Sequence, residues 1–437
     1  MPLCRAGCLT TPFPYQQDGI DFLAARTAAL LADDPGLGKT LQAIKACDQR
    51  IVLRVLILCP ASVIGTWRNE IKAHSEAGWD YFVTSYERAH GADNAYIMGE
   101  FWDVLIVDEA HYLKSVTSKR TKAVYGFTAE DGLRRVSALI DRCEAVWLLS
   151  GTPMPNHPAE LFPHLRALAP ERVTSERTGR VWSIFQFIAS YCQTKNNGFG
   201  NSIVGAKNEA KLHSKLKGFM LRRRKGEVLK DLPPLRFGDI SVEGDLNALP
   251  VEEVKIVQAA LAKGGFDALK EVAGHVGVLR RLTGLAKLPA TITWLKDWLD
   301  NAPGQKIVVF AYHKDVIAGL RAALADLAVT LDGSTPIAQR QVAVDRFQKD
   351  PKVRVFIGQM SAAGVGITLT AASDMLVVES SWVPAEISQA TQRIHRIGQT
   401  ESCLVRFVSI AGSIDEDIQR AVARKVRMID AVIEGVQ

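Results

Sequence analysis

Almost nothing in the chain ties it to a membrane or an oxidising compartment. Its 437 residues contain no run near the roughly 18–20 consecutive apolar residues that cross a bilayer. The N-terminal MPLCRAGCLTTPFPY lacks the apolar core of a signal peptide, so export is not expected. There are seven cysteines and no CxxC pair. Cys4 and Cys8 form the one close pair, and no second pair completes a zinc set. All seven read as reduced thiols, and the expected location is cytoplasmic, with nucleoid association if the source is bacterial or viral. Low-complexity segments and short-period repeats are also missing.

What is present is the composition of an ordinary globular protein, with 47% hydrophobic and 23% charged residues. A formal charge of +6 fits a polyanionic partner but does not require one. The length allows two or three cored domains.

The strand signals are short, nearly continuous apolar runs ending in polar or small residues. They are VLRVLILCP (52–60), FWDVLIVDEAH (101–111) and AVWLLSGTP (145–153), then KIVVFAYH (306–313), KVRVFIGQM (352–360), DMLVVESS (374–381) and CLVRFVSI (403–410). Such runs predict parallel strands buried on both faces. Helical patterns between them, near 62–74 and 336–348, make the class α/β with open sheets. A different region, about 156–300, is richer in helix formers. It holds Trp182, Phe185 and Phe187 at helix-like spacing, the basic run Leu221 to Lys225, and a Leu-Pro-Pro break at 232–234. The expected division is 1–170 as a first lobe, 171–300 as helical insertions with a basic linker, and 301–437 as a second lobe.

The stretch LADDPGLGKTLQAI carries the first chemistry. A phosphate cradle needs backbone N–H groups in a tight turn, a helix N-terminus behind them, and a cation. Pro35, Gly36, Leu37 and Gly38 supply the turn, Lys39 the charge, and Thr40 a hydroxyl for Mg²⁺. The general P-loop pattern has Gly where this chain has Asp33, and GKT alone would also suit a Gly-rich helix start. Asp108-Glu109-Ala110-His111 follows the strand VLIV, which aims two carboxylates at the strand's end. Asp108 would contact the metal and Glu109 would orient the attacking water, the usual division in phosphoryl transfer.

In order along the chain, PYQQDGIDFL, PGLGKT, ILCPASVIGTW, VTSYE, DEAHYLKS and LLSGTPMPN resemble the motifs of superfamily-two helicases, and specifically the Swi/Snf-type DNA-dependent ATPases. DEAHYLKS is similar to that family's DEAHxLKN, with Ser115 where Asn is usual. The match continues through KIVVFAYHKDVI, LDGSTPIAQRQ, SAAGVGITLTAASDMLVVESSWVP and QATQRIHRIGQ.

The resemblance implies two RecA-like parallel-sheet lobes with helical insertions between and within them, using ATP and Mg²⁺. It implies Gln16 as the adenine contact, Gly366 as part of the nucleotide site, and Ser150, Thr152 and Gln389 as coupling residues. Arg393 and Arg396, three apart and so on one face of a helix, would serve as arginine fingers from the second lobe. An exposed basic helix face is the plain alternative for that pair. Candidate DNA contacts are Ser62, Trp67, Ser85, Tyr86, Gly333, Ser334, Thr368 and Trp382, although Trp67 and Trp382 also suit a core. Arg222 to Arg224 resemble the family's LRRxKxEVLxDLPP segment, or form a solvated charge run.

SAAGVGITLT and SGTPMPNHPAELF are similar to the branch with annealing helicases and fork remodellers. The expectation is therefore a monomeric, ATP-driven translocase on double-stranded or branched DNA, able to remodel branches or anneal strands, with no membrane partner. The rivals are a strand-separating DNA or RNA helicase, which shares the motor, and a DNA-binding adaptor that has lost its ATPase. Lys39, Asp108, Glu109, Arg393 and Arg396 argue against the adaptor.

Overall fold

The computed structural model describes residues 11–128, 136–196, 201–245, 249–264, 272–360, 367–381, 383–420, 422 and 426. Two of the candidate residues, Gly366 and Trp382, lie outside them. The chain divides into two units. One comprises 1–193, 206–230 and 429–437, and the other 194–205 and 231–428.

The first unit is built on a six-stranded sheet. Its strands are β1 (Ala28–Leu31), β2 (Arg54–Cys59), β3 (Asp80–Ser85), β4 (Trp102–Asp108), β5 (Cys143–Leu149) and, after the hairpin of β6 (Cys192–Asn196) and β7 (Asn201–Ala206), the two-residue β8 (Met220–Leu221). The order is β3-β2-β4-β5-β1-β8 and every pairing is parallel. Parallel strands covered on both faces need apolar residues at every position, and β2, β4 and β5 have five, five and five buried residues in sequence runs that show no alternation. Three helices matter to the site: α1 (Pro14–Ala24), α2 (Lys39–Arg50) and α3 (Ile64–His74). The helix expected at 62–74 is thus a short 3₁₀ turn over Ala61–Val63 running into α3.

The second unit carries another all-parallel sheet, in the order β11-β12-β10-β13-β14-β9. These are β9 (Leu235–Ser241), β10 (Ile307–Ala311), β11 (Ala328–Leu331), β12 (Val355–Gln359), β13 (Asp374–Val377) and β14 (Cys403–Ser409). Its core packs on both faces of β10 and β12. Both sheets match the expected α/β class.

The stretch expected as a separate middle region is shared between the two units instead. Its part up to 230 belongs mainly to the first, while β9 and the 29-residue helix Ala273–Asn301 belong to the second. The change of unit, at Lys230 to Asp231, falls beside the Leu-Pro-Pro break. No described helix is long and apolar enough to cross a membrane.

Candidate nucleotide site and its surroundings

Ligands of open parallel sheets bind at the carboxyl ends of the strands. In the first unit β1, β5 and β4 lie side by side, so the loops after Leu31, Leu149 and Asp108 meet there. The loop after β1 closes on the N-terminus of α2 with Gly36 at φ 89° and Gly38 at φ 79°. Those left-handed values are cheap only for glycine and turn successive N–H groups toward one point. Gly151 in the SGTP loop is needed for a different reason. A Cβ there would lie 2.5 Å from the Pro35 ring, so the two loops approach as closely as backbone allows.

Lys39, the first residue of α2, donates from Nζ to the carbonyls of Asp33 at 2.7 Å and Asp34 at 3.3 Å. Burial holds its ammonium below the ordinary lysine range, opposed by Glu109, Asp33, Asp108 and Asp34. A cation surrounded by four acids and seated at a helix N-terminus is prepared for phosphate. Gln16 is 3% exposed and bridges the chain itself. Its Oε1 accepts from the Phe13 N–H at 3.0 Å, and its Nε2 donates to the Leu37 carbonyl at 3.1 Å. Contact with adenine would exchange one of those bonds.

Asp108 ends β4. Burial and then the Glu109 charge push its carboxyl up to about 6, against the pull of the Trp67 indole and Lys39. Oδ1 accepts from the Glu109 N–H at 2.9 Å and Oδ2 from the indole Nε1 of Trp67 at 2.8 Å. Tyr86 donates its hydroxyl to the Asp108 carbonyl at 2.5 Å. Glu109 adopts φ 52°, a left-handed value that costs about 1 kcal/mol or more outside glycine. That turn sets its Oε2 3.2 Å from Nδ1 of His111, and the same nitrogen is 3.4 Å from Oγ of Ser150. The side chain of Ser150 also accepts from the Thr152 N–H at 3.2 Å. The Glu109 carboxylate is thereby brought next to the SGTP loop through one imidazole.

Mg²⁺ takes oxygen ligands and usually keeps water and substrate phosphates around one or two carboxylates. Asp108 at the end of β4 and Thr40 in the first turn of α2 are donors of that kind, so the residues fit the ion.

Among the candidate DNA contacts the burial divides the set. Ser62 is exposed in the 3₁₀ turn, Gly333 and Ser334 are exposed after β11, and Thr368 is half-buried, accepting from Arg396 Nη1 at 2.8 Å. Trp67, Ser85 and Tyr86 are 1%, 3% and 2% exposed. In this structure Ser85 caps a short helix by accepting from the Arg88 N–H, while Trp67 and Tyr86 hydrogen-bond Asp108.

In the second unit the helix carrying Gln389 ends at Thr391, so Arg393 and Arg396 follow it in a turn rather than lying on its face. They still converge, since both reach the Ile367 carbonyl, at 3.3 and 3.5 Å. Gln399 stabilises this turn by donating to the carbonyls of Ala372 and Ile394.

The basic run is not a solvated face at its centre. Arg222 and Arg223 have side chains 16% and 11% exposed and pair with Asp34 and Asp33. Sequence reasoning also missed His111 and Gly151 as members of the site. The DEAH and SGTP contexts were the only signals for them.

A model of the SNF2-related domain matches residues 15–79 and 73–241, and one of the helicase conserved C-terminal domain matches 290–398. The mouse DNA annealing helicase and endonuclease ZRANB3 is 30% identical over 467 residues, covering 98% of this chain and 41% of that protein. The Caenorhabditis elegans homologue of SWI/SNF-related matrix-associated actin-dependent regulator of chromatin subfamily A-like protein 1 is 30% identical over 450 residues, covering 96% and 61%. The chain thus spans 41% to 61% of the length of these two relatives. The Sulfolobus solfataricus SWI2/SNF2 ATPase core in complex with dsDNA aligns at 22% identity and a TM-score of 0.43, over 100% of this chain and 96% of that one.

Proposed function

This chain belongs to the family of proteins with an SNF2-related domain, and from that premise we propose that it is an ATP-dependent translocase on double-stranded DNA. The observation that carries the reading is Lys39 at the N-terminus of α2, facing the Asp108-Glu109 pair across the carboxyl ends of one parallel sheet. The names of the relatives, an annealing helicase among them, extend the proposal to branched-DNA remodelling or strand annealing.

In this reading the turn of Gly36 and Gly38 and the first N–H groups of α2 receive the β- and γ-phosphates. Lys39 leaves the carbonyls of Asp33 and Asp34 for the phosphate oxygens. Asp108 and Thr40 would hold Mg²⁺, which would supply charge neutralisation at the phosphates. Glu109, turned out by its left-handed backbone and steadied by His111, orients the attacking water. Gln16 reads adenine, and Ser150, Thr152 and Gln389 couple hydrolysis to movement. Arg393 and Arg396 are assigned to the charge that develops on the transferred phosphoryl group, supported by their convergence within the second unit. Ser62, Gly333 and Ser334, exposed and small, suit backbone phosphates of the track, which are read without regard to sequence.

The test is ATP hydrolysis with and without nucleic acid. Turnover should be low alone and rise severalfold with duplex DNA, and equal stimulation by RNA would remove the translocase reading. Lys39→Ala and Glu109→Gln should abolish turnover with duplex binding retained. Arg393→Ala should lose turnover far more than ATP affinity. Triplex displacement run beside forked-duplex unwinding separates translocation from strand separation.

A further inference from the structure

Asp33 stands where the general phosphate loop has glycine, and its side chain is fully buried. A buried carboxylate is costly unless it is paired and hydrogen-bonded. Its partner comes from 190 positions along the chain: Arg223 donates from Nε to Oδ1 at 2.9 Å and from Nη2 to Oδ2 at 2.5 Å. The same guanidinium donates to Gln42 Oε1 on α2 at 2.8 Å, to the carbonyl of Tyr15 on α1, and lies over the Tyr15 ring. Gln42 closes the ring of contacts by donating to Asp33 Oδ2 at 3.2 Å and to the Leu37 carbonyl at 3.1 Å. Space for the cluster is cut into α1 at Gly19, where a Cβ would lie 1.8 Å from Gln42 Oε1.

The neighbouring acid is held from the same segment, just past β8. Arg222 donates to Asp34 Oδ1 at 3.1 Å and to the Ala32 carbonyl at 2.8 Å, and the Lys225 N–H donates to Asp34 Oδ2 at 3.1 Å. Beneath the side chains, the Ala32 N–H donates to the Leu221 carbonyl and the Asp34 N–H to the Arg223 carbonyl. The parallel pairing of β8 with β1 therefore runs on past the strand into the nucleotide loop.

We propose that Arg223, assisted by Arg222, is a positioning residue of the ATP site, carried by the connector that leads out of the first unit and setting the loop at Asp33–Asp34 against the adenine-side helix α1. The inference rests on the ATP reading above. Every bond of the cluster ends on a segment that this reading assigns to nucleotide. Tyr15 precedes Gln16, Asp33 and Asp34 supply the carbonyls that hold Lys39, and Leu37 lies inside the turn. The fork geometry is what makes the arginine specific, since a lysine offers a point charge that cannot meet both carboxylate oxygens, Gln42 and Tyr15 at once. The connector is registered on the loop by the same bonds, so a shift of Asp33–Asp34 when phosphate enters is felt at Met220 to Lys225 directly.

The experiment compares the full chain with Arg223→Lys, Asp33→Asn and the double variant. The readouts are binding of the fluorescent nucleotide mant-ADP, KM and kcat for ATP at saturating duplex DNA, and thermal stability. Arg223→Lys should raise the Kd for mant-ADP and the KM for ATP by roughly ten- to a hundredfold, with a smaller change in kcat. The isosteric Asp33→Asn should do the same, and the double variant should be no worse than the worse single, as for two members of one contact. Variants that melt earlier yet bind mant-ADP and ATP as the parent does would overturn the proposal and leave the cluster a structural tie. A parent chain that binds no mant-ADP would overturn the ATP reading itself.

Discussion

Replacing Trp67 with phenylalanine separates two roles that the sequence leaves open. The indole is 1% exposed, and its N–H donates to Asp108 Oδ2 at 2.8 Å. Phenylalanine keeps an aromatic ring at the site but removes that donor. A hydrogen bond to a charged acceptor is worth about 1.5–3 kcal/mol net. The backbone of Asp108 stays fixed, because Tyr86 still donates to its carbonyl. The loss therefore falls on the carboxylate, which keeps only its Oδ1 bond to the Glu109 N–H and is harder to keep ionised beside Glu109. If half of the bond is felt in the transition state, turnover drops about four- to thirteenfold.

The assay is basal ATP hydrolysis without DNA, together with duplex affinity by anisotropy. The expected result is a slower basal rate with duplex affinity little changed. Were the indole a DNA contact, Trp67→Phe would instead weaken duplex binding and leave the basal rate intact. That pattern would refute the support role.

Two stability predictions come from buried titratable groups elsewhere. His164 is 1% exposed with Nδ1 2.8 Å from the Tyr125 hydroxyl, and burial pulls its pKa from 6.5 to about 3. The unfolded chain takes up a proton between those values while the native one does not, so stability falls as pH drops below about 6.5, by ~2 kcal/mol at pH 5. His164→Gln should flatten the fall in melting temperature between pH 7 and 5, and an unchanged slope would exclude His164 as its source. In the second unit Lys287 is fully buried, donating to Asp415 at 2.7 Å and to the Val408 carbonyl at 2.9 Å. Lys287→Met strands the Asp415 charge and should cost about 3–5 kcal/mol in urea titration, most of it recovered by adding Asp415→Leu; a near-neutral single variant would contradict the pairing.

Where the sequence was easy to read, the physics was local. Strands β2, β4, β5, β10, β12, β13 and β14 are continuous apolar runs because neighbours cover both faces, and a window of a few residues contains that whole signal. β1 is AALL and β8 is only two residues, too short for any window. β9, at a sheet edge, has no buried residue, so its run carries no continuous apolar signal. The turn of Gly36 and Gly38 and the acids at the end of β4 were legible for the same reason as the long strands: the residues that form each stand within a few positions of one another. Trp67, Ser85 and Tyr86 were candidate DNA contacts by resemblance to family motifs, with a core place left open for Trp67, and all three are buried. Which side of the loop a residue faces depends on where α3 and β3 pack, and nothing local encodes that. The turn holding Arg393 and Arg396 shows the converse. The helix expected under the pair ends at Thr391, yet the two guanidiniums still meet, because the Ile367 carbonyl fixes both.

The pair Asp33 and Arg223 is the case in which neither residue can be understood alone. Read locally, Asp33 is a departure from a phosphate-binding pattern, and Leu-Arg-Arg-Arg-Lys is a charge run destined for solvent. Each reading follows from sound rules, since an acid weakens an anion site and charged residues are rarely buried unpaired. The rules fail together because the exception they share is mutual: one buried acid neutralises one buried fork, and only in that geometry. What brings them together is two residues of parallel pairing between β8 and β1, the weakest strand signal in the chain. An acid under the loop also keeps its charge away from the phosphates, because Arg223 has already taken both of its oxygens. The loop can therefore carry Asp33 without opposing ATP, provided that the connector stays docked. On the proposed ATP reading, nucleotide affinity and the docking of Met220 to Lys225 form one equilibrium, and undocking would take the guanidinium from Asp33, leave it Gln42, and keep its carbonyl 2.7 Å from Lys39 Nζ.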